Sequence, residues 1–232
     1  MKKIQVLIID DERTARDEVR RLLENYPEFE IIGEARDADE AKSLIELKHP
    51  DLIFLDIQMP EKSGFELLES LENVPQVIFV TAFDQYAVKA FEVSAIDYLM
   101  KPVREERFAK AVEQIRLKIT KPANTRQIFV KDGQRYHFIN WDNVHLIESM
   151  DNYARLFFGD KKVFLKSSLN QLEKKLDEAV FFRINRAQII NIKFVEKINA
   201  MADGRIKITL KTGYTLEVSE RQSVKFKNMW RQ

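Results

Sequence analysis

The sequence predicts an α/β protein, a doubly wound five-stranded parallel sheet followed by a mostly antiparallel β domain. Three observations lead there. Short apolar runs alternate with segments of helical spacing through the first half, the rhythm breaks at a proline-bearing stretch near residue 120, and a period-two pattern takes over beyond it.

In the first half the strand candidates are IQVLII (4–9), FEIIGE (29–34), LIFL (52–55), VIFV (77–80) and YLM (98–100). Runs this apolar suit strands covered on both faces, hence a parallel sheet with helices above and below. Between them, Ala15, Val19, Leu22, Leu23 and Tyr26 form one helical stripe, and Phe108, Ala111, Val112 and Ile115 another. The small polar residues and proline of TKPANT (120–125) mark the expected linker, which gives domains at 1–119 and 126–232. After it, QIFVKDGQRYHFI reads as strand, Asp132-Gly133 turn, strand. YARLFF, KVFLK, RIKITLK and TLEVS follow as strands. Helices are expected from Ser168, with Gln171 three residues on, and from Ser219, with Gln222 three residues on.

Composition narrows the class. The 232 residues are 45% hydrophobic and 32% charged, as in a globular protein with real cores. No apolar run approaches the roughly 20 residues that span a bilayer, and Ile4–Ile9 is too short for a signal-peptide core. Cysteine is absent, which excludes disulfides and thiolate metal sites. A cytoplasmic protein without membrane attachment is expected. The net charge of +1 hides a split: residues 1–120 hold 17 Lys and Arg against 25 Asp and Glu, a balance of −8, and residues 121–232 hold 21 against 12, a balance of +9. An acidic and a basic domain suggest different partners.

The chemistry lies at the strand ends. Asp10 and Asp11 end the first strand, Asp56 the third and Thr81 the fourth, and Lys101 follows the fifth. Singly, Asp11 is explained as a helix cap, Thr81 as a turn residue and Lys101 as a surface charge. Jointly they fall at the carboxyl edge of the sheet, where open α/β sheets bind ligands. Three clustered carboxylates repel unless a cation is present, and an all-oxygen site that keeps waters suits Mg²⁺. With metal and Lys101 beside it, Asp56 becomes a candidate nucleophile on phosphorus.

VLIIDDE, DLIFLDIQMP, VTAF and DYLMKP resemble the response-regulator receiver domain of two-component signalling, over residues 1 to about 120. The resemblance implies the strand order 2-1-3-4-5, Asp56 as phosphoacceptor, and Mg²⁺ held by Asp10, Asp11, Asp56 and the backbone carbonyl of Gln58. It implies Thr81 as switch hydroxyl, Tyr98 as switch aromatic, and Lys101 as phosphate-binding cation before a cis Pro102. Phosphatases and phosphotransferases of haloacid-dehalogenase type use the same nucleophile but place a second aspartate two residues on. Here that residue is Gln58, so a stored phosphate rather than enzymatic turnover is expected.

In the basic half, RIKITLK alternates Arg205, Lys207, Thr209 and Lys211 with apolar residues, giving one cationic face. FFRINRAQIINIKFVEKI, HLIESMDNYARLFF and LEVSERQS resemble the LytTR family of mostly-β DNA-binding domains, over about 126–232. The resemblance implies that loops enter the major groove, with Asn152, Tyr153, Ala154 and Arg155 in one loop, Arg183, Asn185 and Arg186 in a second, and Arg221 at the last helix. Arg186 and Arg221 are the best candidates for base edges, since a guanidinium pairs bidentately with guanine. Lys193 and Lys197 suit the DNA backbone. The family's Arg-x-His-Arg-Ser is here Arg183-Ile-Asn185-Arg186-Ala187, which leaves the target sequence open.

The expectation is a transcriptional response regulator, phosphorylated by a sensor histidine kinase, that dimerises and binds double-stranded promoter DNA. The competing class is a phospho-switched adaptor whose basic half binds RNA or protein. No RNP-type aromatic pattern favours RNA.

Overall fold

The computed structural model describes residues 3–82, 95–119, 126–133, 135–202 and 204–229. The linker expected at 120–125 lies outside these residues. The chain divides into two compact units, residues 1–140 and 141–232. No helix among the described residues is long and apolar enough to cross a membrane.

In the first unit, strands β1 (Ile4–Ile9), β2 (Phe29–Ala35), β3 (Leu52–Leu55), β4 (Gln76–Thr81) and β5 (Asp97–Met100) form one sheet in the order 2-1-3-4-5. Every pairing is parallel. Period two sorts the side chains by face. Val6, Ile8, Leu52, Phe54, Ile78, Val80 and Leu99 meet helices α1 (Arg13–Leu23) and α4 (Glu105–Ile119). Leu7, Ile9, Ile53, Leu55, Val77, Phe79 and Tyr98 meet α2 (Ala38–Lys48) and α3 (Gly64–Ser70). The expected stripes are buried from Ala15 to Leu23 on α1 and from Phe108 to Ile115 on α4, while Tyr26 lies beyond the end of α1, half-buried against the same core. Asp37 caps α2 through the amide of Glu40 at 2.8 Å, and Ser63 and Glu66 form a capping box on α3.

Strands β6 (Gln127–Asp132) and β7 (Arg135–Asn140) form the expected hairpin, with Gly133 at φ 62° in its turn. The sequence reading grouped this hairpin with the second domain, whereas in the structure it packs on the first unit. The cause is aromatic. Phe65 of α3 stacks on Tyr136 and Phe129, with ring centroids 4.5 and 6.0 Å apart. The Val74 amide donates to the Gln127 carbonyl at 2.9 Å, and the Gln127 side chain to the Pro75 carbonyl at 2.7 Å.

The second unit has a five-stranded antiparallel sheet in the order β10 (Lys161–Leu165), β9 (Tyr153–Phe158), β8 (Val144–Met150), β12 (Gln188–Asn191), β11 (Phe181–Asn185). A three-stranded sheet follows, β13 (Val195–Ala200), β14 (Ile206–Leu210) and β15 (Thr215–Val218). Leu146, Ile184 and Ile190 from the first sheet share a core with Ile206, Ile208 and Leu210 from the second, closed by Phe226 of α6 (Glu220–Met229). The helix expected from Ser168 is α5 (Leu169–Glu173), with the Ser168–Gln171 capping box formed. Of the cationic row, Lys207 and Lys211 are exposed, while Arg205 pairs with Glu217 at 3.2 Å.

His145 of β8 is 1% exposed. Its ring lies among Phe157, Phe194 and Tyr214, and neither ring nitrogen has a hydrogen-bond partner among the described residues. Burial lowers its pKa below the ordinary 6.5. The unfolded chain therefore takes up a proton that the folded one refuses, so stability is present above about pH 6.5 and is lost as pH falls towards the folded pKa. Replacing His145 with Phe is expected to narrow the gap between thermal midpoints at about pH 7.5 and about pH 5.5; an unchanged gap would refute the assignment.

Candidate functional site

The ends of β1, β3, β4 and β5 meet at one edge of the parallel sheet. The Asp56 amide donates to the Ile9 carbonyl at 2.9 Å and the Lys101 amide to the Thr81 carbonyl at 2.9 Å, so each strand end is tied to its neighbour. Asp10 and Asp56 are 3% and 5% exposed. Such burial of carboxylates is costly without compensation, and Lys101 supplies it: its Nζ lies 2.7 Å from Asp10 Oδ2 and 2.7 Å from Asp56 Oδ2. Glu12 approaches the same ammonium at 3.9 Å. The peptide bond from Lys101 to Pro102 is cis.

Asp11 is exposed and stands beside the buried pair. Asp10, Asp11 and Asp56 each offer a carboxylate oxygen, all within 4.8 Å of one another. Asp11 is not spent on capping: the N-cap of α1 is Glu12, without a side-chain cap bond. Burial raises the Asp10 pKa to about 6, against the lowering effect of Lys101. Burial also opposes charge on Lys101, but its hydrogen bonds to Asp10 and Asp56 outweigh this and raise its pKa. Three acidic groups facing one ammonium leave an excess of negative charge on oxygen donors, and a hard divalent cation fits that donor set.

Of the remaining expected residues, Gln58 follows β3, Thr81 ends β4 and Tyr98 lies within β5. The Gln58 amide donates to Asp56 Oδ1 at 3.1 Å, while its side chain is exposed. Thr81 is 0% exposed, and its hydroxyl has no hydrogen-bond partner among the described residues. Tyr98 is buried in the α2–α3 face with Phe65, Phe79 and Phe129.

Two contributors escaped the sequence reading. Arg16 donates from Nη1 to the Asp10 carbonyl at 2.7 Å and from Nε to Glu34 at 3.1 Å, bracing the turn that carries both aspartates. Gly64 opens α3 against the acceptor loop; a Cβ there would lie 2.3 Å from the Asp56 carbonyl oxygen. The glycine of KSGFE was the available signal for close backbone approach.

A second assembly lies on the other unit. Arg183, Asn185, Arg186, Arg221 and Lys225 line one open groove with Glu173. The Ser149 amide donates to the Ala187 carbonyl at 2.8 Å, which sets the β8–β9 turn, with exposed Asn152 and Tyr153, beside the β11–β12 turn. Within this face the side chains differ in availability. Arg186 and Arg221 are exposed. Arg155 contacts Glu148 at 3.8 Å and Met150, and lies over the Phe157 and Phe164 rings. Ala154 is fully buried. Asn185 donates to Gln188 at 2.9 Å and the Glu217 carbonyl at 3.1 Å, and accepts from the Ala187 amide at 2.9 Å, so its amide shapes the turn. Lys193 lies beyond the opposite end of β12 and pairs with Asp142 at 2.9 Å. Lys197 is exposed on β13, in the other sheet.

Comparison with known proteins assigns a family to each half of the chain. Residues 6–113 match the response regulator receiver domain, and residues 134–231 match the LytTr DNA-binding domain. The sensory transduction protein LytT of Bacillus anthracis is 32% identical over 98% of this chain and 99% of its own length. The transcriptional regulatory protein BtsR of Salmonella typhi is 34% identical over 94% of this chain and 95% of its own. An uncharacterized response regulatory protein of Vibrio cholerae is 35% identical over 97% and 98%. The parallel sheet with its acidic edge and the two family matches define a receiver joined to a β domain of a DNA-binding family. The chain belongs to the two-component response regulators of LytT type, with an N-terminal receiver and a C-terminal LytTr DNA-binding domain.

Proposed function

We propose that this protein is a cytoplasmic transcriptional regulator in which Asp56 accepts a phosphoryl group from a sensor histidine kinase, and that the phosphorylated form dimerises on promoter DNA. The observation that carries the first half is the bridge of Lys101 between Asp10 and Asp56, both at 2.7 Å, with Asp11 alongside. In the transfer, the N–P bond of the kinase's phosphohistidine breaks and an O–P bond forms to a carboxylate oxygen of Asp56. Asp10, Asp11, Asp56 and the Gln58 carbonyl would hold Mg²⁺, which when bound balances charge on the phosphoryl oxygens. Lys101 balances further charge, and its existing contacts hold the acceptor in place. The Thr81 hydroxyl, without a hydrogen-bond partner among the described residues, supports its reading as the group that turns to a phosphate oxygen, with Tyr98 following it. Phosphorylation adds roughly −1.5 to −2 charges, and driving the switch from mostly off to mostly on needs roughly 5.5 kcal/mol of differential stabilisation. The receiver is assigned to 1–119 and the DNA-binding domain to 126–232 by sequence pattern, although the β6–β7 hairpin belongs by its contacts to the compact unit 1–140.

On the second unit, exposure favours Arg186 and Arg221 for base edges, with Asn152 and Tyr153 beside them. Two bound copies on adjacent half-sites gain from effective concentration. The test is the full chain on duplexes selected from chromosomal DNA and on random duplexes. Arg186→Ala is expected to weaken the selected complex by about 1–3 kcal/mol, the worth of a bidentate base contact, and the random one far less. Equal losses would reduce Arg186 to a phosphate contact, and no binding of either duplex would favour the adaptor reading.

A further inference from the structure

Arg183 was expected at the DNA, yet its guanidinium is turned inward to the protein. Nη1 donates to Asn170 Oδ1 at 2.6 Å and to Glu173 Oε2 at 2.7 Å. Nη2 donates to the Arg186 carbonyl at 3.0 Å, and Nε to the Asn185 carbonyl at 3.2 Å. One planar group thus ties α5 to two successive carbonyls of the β11–β12 turn. Its side chain is only 18% exposed, and Glu173 offsets its charge. The pair therefore contributes little net attraction for phosphates. What it fixes is the backbone of residue 186, from which the exposed Arg186 side chain leaves into the groove shared with Arg221. Base readout depends on hydrogen bonds about 2.7–3.2 Å long, so a small shift of that backbone removes discrimination while leaving general attraction intact.

We propose that Arg183 is a positioning residue for sequence recognition, holding the β11–β12 turn so that Arg186 meets base edges, and that it does not itself contact DNA. This rests on the DNA-binding reading above and goes beyond it by assigning Arg183 a role separate from that of Arg186. Lysine is a poor substitute, because its ammonium cannot reproduce the planar fork that reaches four acceptors.

The experiment measures affinity of the full chain for a duplex that the wild type selects from chromosomal DNA and for a random-sequence duplex of equal length, across salt concentrations. Arg183→Lys, which keeps the charge that offsets Glu173, is expected to lose about tenfold on the selected duplex, within the range of one bidentate base contact, with little change on the random one; Arg183→Gln leaves Glu173 unpaired and is expected to add a similar loss on both duplexes. The salt slope of Arg183→Lys should stay at the wild-type value. A slope shallower by about 0.9 would mean a lost phosphate contact and would overturn the proposal. In an Arg186→Ala background, Arg183→Lys should cost nothing further on the selected duplex; full additivity would overturn the proposal. Glu173→Gln removes a negative charge beside the groove, so electrostatics alone tightens both complexes equally. The strut instead lowers the ratio of selected to random affinity, and this variant serves if Arg183→Gln does not fold. A wild-type chain that prefers no duplex would sink the DNA reading itself, an outcome distinct from any of these.

Discussion

With a small acyl phosphate and Mg²⁺, Asp56→Asn is expected to incorporate no phosphate, while the wild type is labelled. The substitution keeps the shape of the side chain and replaces a carboxylate with a carboxamide, which has no anionic oxygen to attack phosphorus. Packing gives little reason for collapse: the side chain keeps its shape, and the carboxamide oxygen still accepts from one of the two donors that Asp56 holds, Lys101 at Oδ2 or the Gln58 amide at Oδ1. Lys101 also keeps its contact with Asp10. Unfolding is therefore not the expected cause of the loss, and a thermal scan separates the two. Labelling at the wild-type level would end the assignment of Asp56 and with it the reading of the acidic edge.

Gly64→Ala is expected to slow labelling by about a hundredfold, the loss that roughly 1 Å of misplacement near the reacting group produces. Helix propensity argues the other way, since alanine in a helix is worth up to about 1 kcal/mol more than glycine. The added Cβ, however, would lie 2.3 Å from the Asp56 carbonyl oxygen and 3.1 Å from Leu55 Cγ. The first of these is backbone and cannot swing aside. Either α3 moves outward or the end of β3 moves, and overpacking of this kind costs typically 1–3 kcal/mol. The sign decides between the two effects: a variant more stable than wild type that labels normally would show that the helix and the acceptor loop do not press on one another.

Much of the fold was legible because periodicity is written in consecutive residues. The two helical stripes of the receiver and its five apolar strands required no knowledge of neighbours. In the second unit RIKITLK announced itself by strict alternation, and Ser168-x-x-Gln171 by its capping spacing. Strands β8, β11, β12 and β13 were not read as strands. In β8, Val144 to Ile147 are all buried, so both faces are covered and no alternation survives. In β11 and β12 the turn between them is Arg186-Ala187, without the glycine that marks a hairpin. In β13 nearly every side chain is exposed, which removes the apolar signal altogether.

By itself the sequence determined that Asp10, Asp11, Asp56, Thr81 and Lys101 fall at the ends of parallel strands, and hence that they share one edge. It determined equally that the second half is basic; of the arginines it expected in loops, only Arg186 lies in a turn, while Arg155 and Arg183 stand within β9 and β11. Only the tertiary structure decided which polar groups remain available. Asn185 and Arg183 look as suited to DNA as Arg186 in the linear chain, yet their hydrogen bonds are consumed by Glu217, Glu173, Asn170 and the turn carbonyls. It also decided that the β6–β7 hairpin lies on α3, through rings more than 60 residues apart in the chain. The physical reason is the same in each case. Secondary structure follows from the spacing of neighbouring residues, but whether a donor is free or an aromatic face is covered depends on partners that the chain brings together only when it folds.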